Sequence, residues 1–354
     1  MLTLTNASTP SKAGAEPLTQ DDSHATLLAL LDQGLGLWPE YRAQLSSHLP
    51  MALDALQQLG ASSARLRDFN THYGARLQPM PARPSAAGRP QQFGRIDDYP
   101  QWFTHYRAAL AADGRNTLLR AELPALMAGV GGVAFHGLIR AGHAVRHGHA
   151  GELAAALAYW ASRHQPLPEP TDTRPLALAD WLAALRALPG AEAMPKRGLI
   201  SERMADWGKR PDWQAIAARL PSTELPALAR AAAALYAATA NFTVLHMVTA
   251  SAALMALRPW LDEEAGSRYV SHFIQAAAAA LMAGGVVKHT AELAPPMATS
   301  PDWADLAAGA IGQHDDHVIK LVAACRALEA AEADNGQVWR ACAARALGQE
   351  SQAP

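Results

Sequence analysis

Residues 46–61 read SSHLPMALDALQQLGA, and their apolar side chains recur at Leu49, Ala52, Leu53, Leu56 and Leu59. Spacings of three and four residues put these side chains on one face of an α-helix. The same pattern, written in Ala, Leu, Gln, Glu and Arg, runs through most of the chain, whereas Val/Ile/Thr alternation is scarce and no Asn-Gly hairpin joins such runs. The expected fold is all-α, a single large multi-helical domain with buried central helices. Helices are predicted over 23–34, 38–59, 61–74, 98–112, 117–129, 132–147, 151–163, 177–187, 212–219, 225–240, 241–258, 265–284, 301–309, 313–331 and 335–346. Pro-rich breaks at 79–95, 165–175 and 294–301 read as surface loops, because helical patterning resumes at once on either side.

The 354 residues are 50% hydrophobic, 6% aromatic and 18% charged, enough to bury a sizeable core. Thirty Lys+Arg against 32 Asp+Glu leave a formal charge of −2. No basic stripe interleaved with aromatics is present, so nucleic acid is not an expected partner. Two cysteines, Cys325 and Cys342, exclude a disulfide scaffold and a thiolate-rich zinc site. Histidine is the residue in excess, with 14 copies, several inside the most apolar stretches.

Residues 1–20 mix Ser, Thr, Pro and Gly without an apolar core and read as a flexible tail; 348–354 read likewise, leaving 21–347 as the helical domain. That tail is unlike a signal peptide and suggests a cytoplasmic, reducing setting. Ala231–Leu257 carries no formal charge and exceeds the roughly 20 residues that a bilayer requires. It is built on alanine and interrupted by Asn241, Thr243, His246, Thr249 and Ser251, with no aromatic belt, so the expectation is helix buried by other helices and no membrane.

A formal dinucleotide fingerprint occurs at Gly129-Val-Gly131-Gly-Val-Ala134. It lacks the preceding strand that would aim a helix N-terminus at pyrophosphate, so the glycines are read as a tight junction with close helix contact. Downstream, His136 lies among Ala134, Phe135, Leu138 and Ile139 and is expected to be buried. On one helix His143 would stand about 10 Å further along the axis, too far to share a metal with His136. His143 and His147 could pair at i and i+4, but Gly148 and Gly151 suggest a helix end, so His143, His147 and His149 are expected at the surface.

His48 begins one apolar segment and His246 sits in another, NFTVLHMVTASAALM. Gln313-His-Asp-Asp-His-Val-Ile-Lys320 adds His317 and a lysine surrounded by Val318, Ile319, Leu321 and Val322. Lys320 is either buried, where an amine loses its charge easily and attacks carbon dioxide or a carbonyl, or it snorkels outward from a helix start. A single buried histidine is usually tied to a core partner. Four of them, His48, His136, His246 and His317, are satisfied together when they converge on a metal. His72, His105, His272 and His289 lack that context and read as structural or surface residues.

Four blocks together resemble the questin oxidase-like family: His48-Leu-Pro-Met-Ala-Leu-x-Ala-Leu-x-x-Leu-Gly60, Gly131-Gly-x-x-x-His136-x-Leu-Ile-Arg140, His246-Met-Val-Thr249 and Asp316-His317-Val-Ile-Lys320. They occur in the family's order, and the resemblance covers about residues 24–330. It implies a helical oxygenase acting on an aromatic, quinone-like or polyketide substrate with dioxygen, in some members opening anthraquinone rings. By matching positions it also implies Fe(II) held by His48, His136, His246 and His317, with carboxylated Lys320 as the anionic ligand. Lys320 and His317 would then be closest to the chemistry. Asp315 or Asp316 is placed to orient a ligand imidazole, and His314 is an alternative ligand in another register.

Two other readings stay open at this stage. One is a metal-free Baeyer–Villiger-type oxygenase using NADPH, as some family members are described. The other is a non-catalytic helical binding protein with each histidine tied off separately. The apolar helices are compatible with a homodimer.

Overall fold

The computed structural model describes residues 20–42, 44–81, 88–193, 198–261, 263–291, 301–332 and 336–348. The two tails, apart from Gln20 and Gly348, residues 82–87 of the loop at 79–95 and residues 294–300 of the loop at 294–301 lie outside the described residues. As expected, the architecture is all-α. Helix α1 (Gln20–Gly34) is followed by a short antiparallel hairpin of β1 (Glu40–Tyr41) and β2 (Leu45–Ser46). Then come α2 (Leu49–Leu59), α3 (Ser63–Gly74), α4 (Tyr99–Met127), α5 (His136–His147) and α6 (Ala150–Ser162). The chain continues through α7 (Leu178–Arg186), α8 (Ile200–Gly208), α9 (Pro211–Gln214), α10 (Leu225–Thr239) and α11 (Phe242–Leu257). It ends with α12 (Glu263–Ala283), α13 (Trp303–Ile311), α14 (Asp316–Ala331) and α15 (Gln337–Ala346).

Two differences from the sequence expectation have physical causes. The helix predicted over 38–59 begins only at Leu49, because the buried Glu40 is claimed by α6. Arg163 donates two hydrogen bonds to the Glu40 carboxylate at 2.7 and 2.6 Å, and the Tyr159 hydroxyl donates a third at 3.0 Å. Ser46 Oγ lies 2.7 Å from the same hydroxyl, so both strands are anchored to one helix. The segments expected at 98–112 and 117–129 run on as α4, bent where Gly114 takes φ 76°, ψ 165°. Helix α8 falls where no helix was predicted, and α9 is one turn rather than the span 212–219.

Four helices, α2, α5, α11 and α14, form the centre, and α6 flanks it. α5 packs against α11, α6 and α2, and α14 packs against α2 and α11. Small residues allow the close approach: a Cβ at Gly142 would lie 2.6 Å from Ala253, and one at Gly137 2.5 Å from the Trp160 ring. Phe242–Trp260 has the length and hydropathy to cross a membrane, yet 67% of that stretch is buried by neighbouring helices. It is the core helix anticipated from its uncharged sequence.

Candidate metal centre

Each histidine singled out in the apolar segments is delivered by a different element, at or near a helix start. His48 is the residue before α2, with φ −99° and ψ 0°, and its side chain does not cap the helix. The Tyr73 hydroxyl accepts its backbone N–H at 2.9 Å. His136 opens α5, His246 lies in the second turn of α11, and His317 lies in the first turn of α14. Two caps set the last two elements in place. Asn241 accepts the N–H groups of Thr243 and Val244 at 2.9 and 3.3 Å, and Asp315 accepts those of His317 and Val318 at 2.9 and 3.4 Å.

The four imidazoles meet. The rings of His48 and His136 are stacked with centroids 4.6 Å apart, and their Nε2 atoms are separated by 2.6 Å. His317 stands edge-on to His48 at 4.6 Å, His246 lies 5.0 Å from His136, and His246 and His317 are 5.7 Å apart. Sequence separations of up to 269 positions, from His48 to His317, are closed in one place.

Hydrogen bonding at Nδ1 decides what the opposite nitrogens offer. His136 Nδ1 contacts the carbonyl of Val133, and His246 Nδ1 lies 2.8 Å from the carbonyl of Phe242. A carbonyl only accepts, so both Nδ1 atoms carry the proton, and in the neutral rings Nε2 is left as a bare lone pair. His48 Nδ1 contacts Asp316 Oδ2, which favours the same tautomer. The bond at His136 depends on unusual backbone. Val133, Ala134 and Phe135 take φ of 42°, 54° and 67°, a left-handed run that turns the Val133 carbonyl back onto the ring. Such conformations are costly outside glycine and persist where surrounding packing imposes them.

Burial holds the centre neutral. His48, His136 and His246 all titrate well below the ordinary histidine range, chiefly because burial opposes charging and then because neighbouring imidazoles and Lys320 repel a proton. Lys320, 1% exposed, does not snorkel. Burial lowers its amine to about 8, against the opposing pull of Asp316 and Asp315. His317 keeps 21% of its side chain accessible and is the member nearest solvent.

With His48 and His136 neutral and the Nδ1 proton on each, two lone pairs face each other at 2.6 Å without a proton between them. That donor set suits a cation, and a divalent metal bound by imidazole fits it. Asp316 adds an oxygen: one nitrogen each from His48 and His317 and one Asp316 oxygen all lie within 4.8 Å of one another. Asp316 Oδ2 is 3.3 Å from His317 Nδ1 as well as in contact with His48. The sequence reading set Asp315 or Asp316 to orient a ligand imidazole, and Asp316 stands in that position at the outer nitrogen of His48.

Other histidines lie elsewhere. The surface positions expected for His143 and His147 are corrected, since both are buried in α5. Helix α5 does end at Gly148, as its composition suggested, but α2 and α11 cover its last turns. His143 Nδ1 sits 2.6 Å from Asp54 Oδ2, a pairing across 89 positions that no sequence spacing reveals. His149 caps α6 by accepting the Glu152 N–H at 2.9 Å, with its Nε2 3.0 Å from Asp32. His314 is turned outward, its ring 4.3 Å from that of His72 and stacked on Phe69. The glycines of 129–132 act as a tight junction: a Cβ at Gly132 would lie 2.2 Å from the Arg163 carbonyl oxygen. His72, His105, His272 and His289 are exposed or half-buried.

No curated protein matches the chain. A profile of one protein family does, over residues 45–325, a span that takes in all four histidines and Lys320. Because that span is most of the molecule, the chain belongs to the questin oxidase-like family, and it is an oxidoreductase of the oxygenase type.

Proposed function

We propose that this protein is an iron-dependent oxygenase that uses dioxygen on an aromatic, quinone-like substrate. The observation that carries the reading is the convergence of His48, His136 and His246, each with Nδ1 engaged and Nε2 free to donate. His317 and Lys320 complete the proposed ligand set, Lys320 as its carbamate. An amine lowered to about 8 is substantially neutral at mildly alkaline pH. The neutral amine then adds its lone pair to carbon dioxide and releases one N–H proton, which leaves an anionic carbamate where a neutral amine stood. Fe(II), when bound, would supply dioxygen activation beside the substrate ring.

The protein's own part is positional and electrostatic. The carbonyls of Val133 and Phe242 and the carboxylate of Asp316 hold protons on the outer nitrogens, which orients each ring and raises its basicity. Helices α2, α5, α11 and α14 keep bulk water from three of the rings, and the His317 side leaves a way in.

The test is metal content and oxygen uptake after anaerobic loading with Fe(II). The expected result is one iron per chain, lost in His136→Ala, and oxygen consumption dependent on a hydroxyanthraquinone and abolished by a strong chelator. Absence of bound iron would overturn the reading. NADPH consumption that survives chelation would replace it with the metal-free Baeyer–Villiger alternative.

A further inference from the structure

The chain contains six phenylalanines, all among the described residues. Phe69, Phe103, Phe135 and Phe273 are buried and Phe93 is packed against the core, but Phe242 is 52% exposed. Among the described residues only Leu45 is a comparably exposed large apolar side chain. Leaving a phenyl ring in water forfeits the burial that the other five obtain.

Phe242 stands at the opening of the imidazole cluster. Its ring centroid lies 4.7 Å from that of His317 and 4.9 Å from that of His246, tilted to the first by 60° and nearly perpendicular to the second at 78°. His317 is the partly exposed member of the cluster, so the phenyl ring stands beside the side on which the centre reaches solvent. Its position is fixed: Asn241, the cap of α11, also donates through Nδ2 to the Gly284 carbonyl at 3.2 Å. Main chain and side chain at Phe242 have separate tasks. The carbonyl sets the His246 tautomer, whereas the ring is free to contact whatever approaches.

We propose that Phe242 is the substrate-docking residue of this centre, on whose exposed face a planar aromatic ring stacks as it comes up to His317. The inference rests on the oxygenase reading above and adds the surface that selects the substrate. A flat, polarisable face favours offset stacking with an electron-poor quinone ring, a contact an aliphatic side chain supplies only in part. Because the His246 bond is made by backbone, removing the phenyl group leaves the ligand geometry in place.

The experiment is an absorbance titration of 1,8-dihydroxyanthraquinone into iron-loaded wild type, Phe242→Ala, Phe242→Leu and Phe242→Trp, with metal content measured on the same samples. The expected result is a full iron complement in all four and probe binding weakened about tenfold or more in Phe242→Ala. Phe242→Leu should be intermediate and Phe242→Trp at least as tight as wild type. Equal affinity in wild type and Phe242→Ala overturns the proposal, and so does an iron-replete wild type that ignores the probe, while the metal reading stands. A wild type that holds no iron overturns both.

Discussion

Lys320 is the residue at which stability and chemistry conflict most openly. An ammonium buried at this depth costs stability in the metal-free fold, and lowering it from its ordinary 10.5 to about 8 corresponds to a penalty on the order of 3 kcal/mol. Between those two values the unfolded chain binds more protons than the folded one, so the metal-free protein should gain stability as pH rises from about 8 towards 10. Lys320→Met should remove that dependence, raise metal-free stability at pH 7 by a few kcal/mol, and abolish oxygen uptake. Denaturant unfolding across that pH range checks the prediction; a flat profile in the wild-type protein would contradict it. Asp316 should behave differently. Asp316→Asn removes the charge that touches His48 and His317 and should weaken iron binding by about 10–100-fold.

At the scale of elements, the contacts of α5 with α2 and with α6 make two independent predictions. His143 is the partner that keeps the Asp54 carboxylate ionised in the core, holding it below the ordinary aspartate range against the opposing cost of burial. Its stabilising effect is present at neutral pH and fades as pH falls through the depressed value. His143→Ala should therefore cost about 3 kcal/mol at pH 7 and move acid unfolding to higher pH, while iron binding persists. Gly137→Ala acts on α5 and α6 by forcing a methyl group onto Trp160, and should cost roughly 1–3 kcal/mol in thermal or denaturant melts.

Legibility at this scale divides by the range of the forces involved. The apolar spacing of residues 46–61 and the uncharged run before Leu257 are local, and they identified helices and buried faces correctly. The hairpin at 40–46 escaped notice because Arg163 and Tyr159, far along the chain, are what hold Glu40. The left-handed run at Val133, Ala134 and Phe135 could not be read from three residues that avoid that conformation. Likewise His143 gave no local sign that Asp54 would cover it. The histidines announced their burial through apolar neighbours, and their common meeting point followed from the need to satisfy four buried imidazoles together and from the resemblance of four blocks, not from any spacing.

Across the whole molecule, the architecture is a bundle whose central helices bring the starts of α2, α5, α11 and α14 to one point, with the carbonyls and carboxylate that aim the rings already in place. The oxygenase account therefore depends on a single claim, that these imidazoles bind one metal ion together. X-ray absorption at the iron edge of the Fe(II)-loaded protein measures this directly through the outer-shell scattering that imidazole rings produce. The account predicts a signature of about four histidines, falling by one in His246→Ala. A spectrum of oxygen-only coordination, unchanged by that substitution, would contradict it.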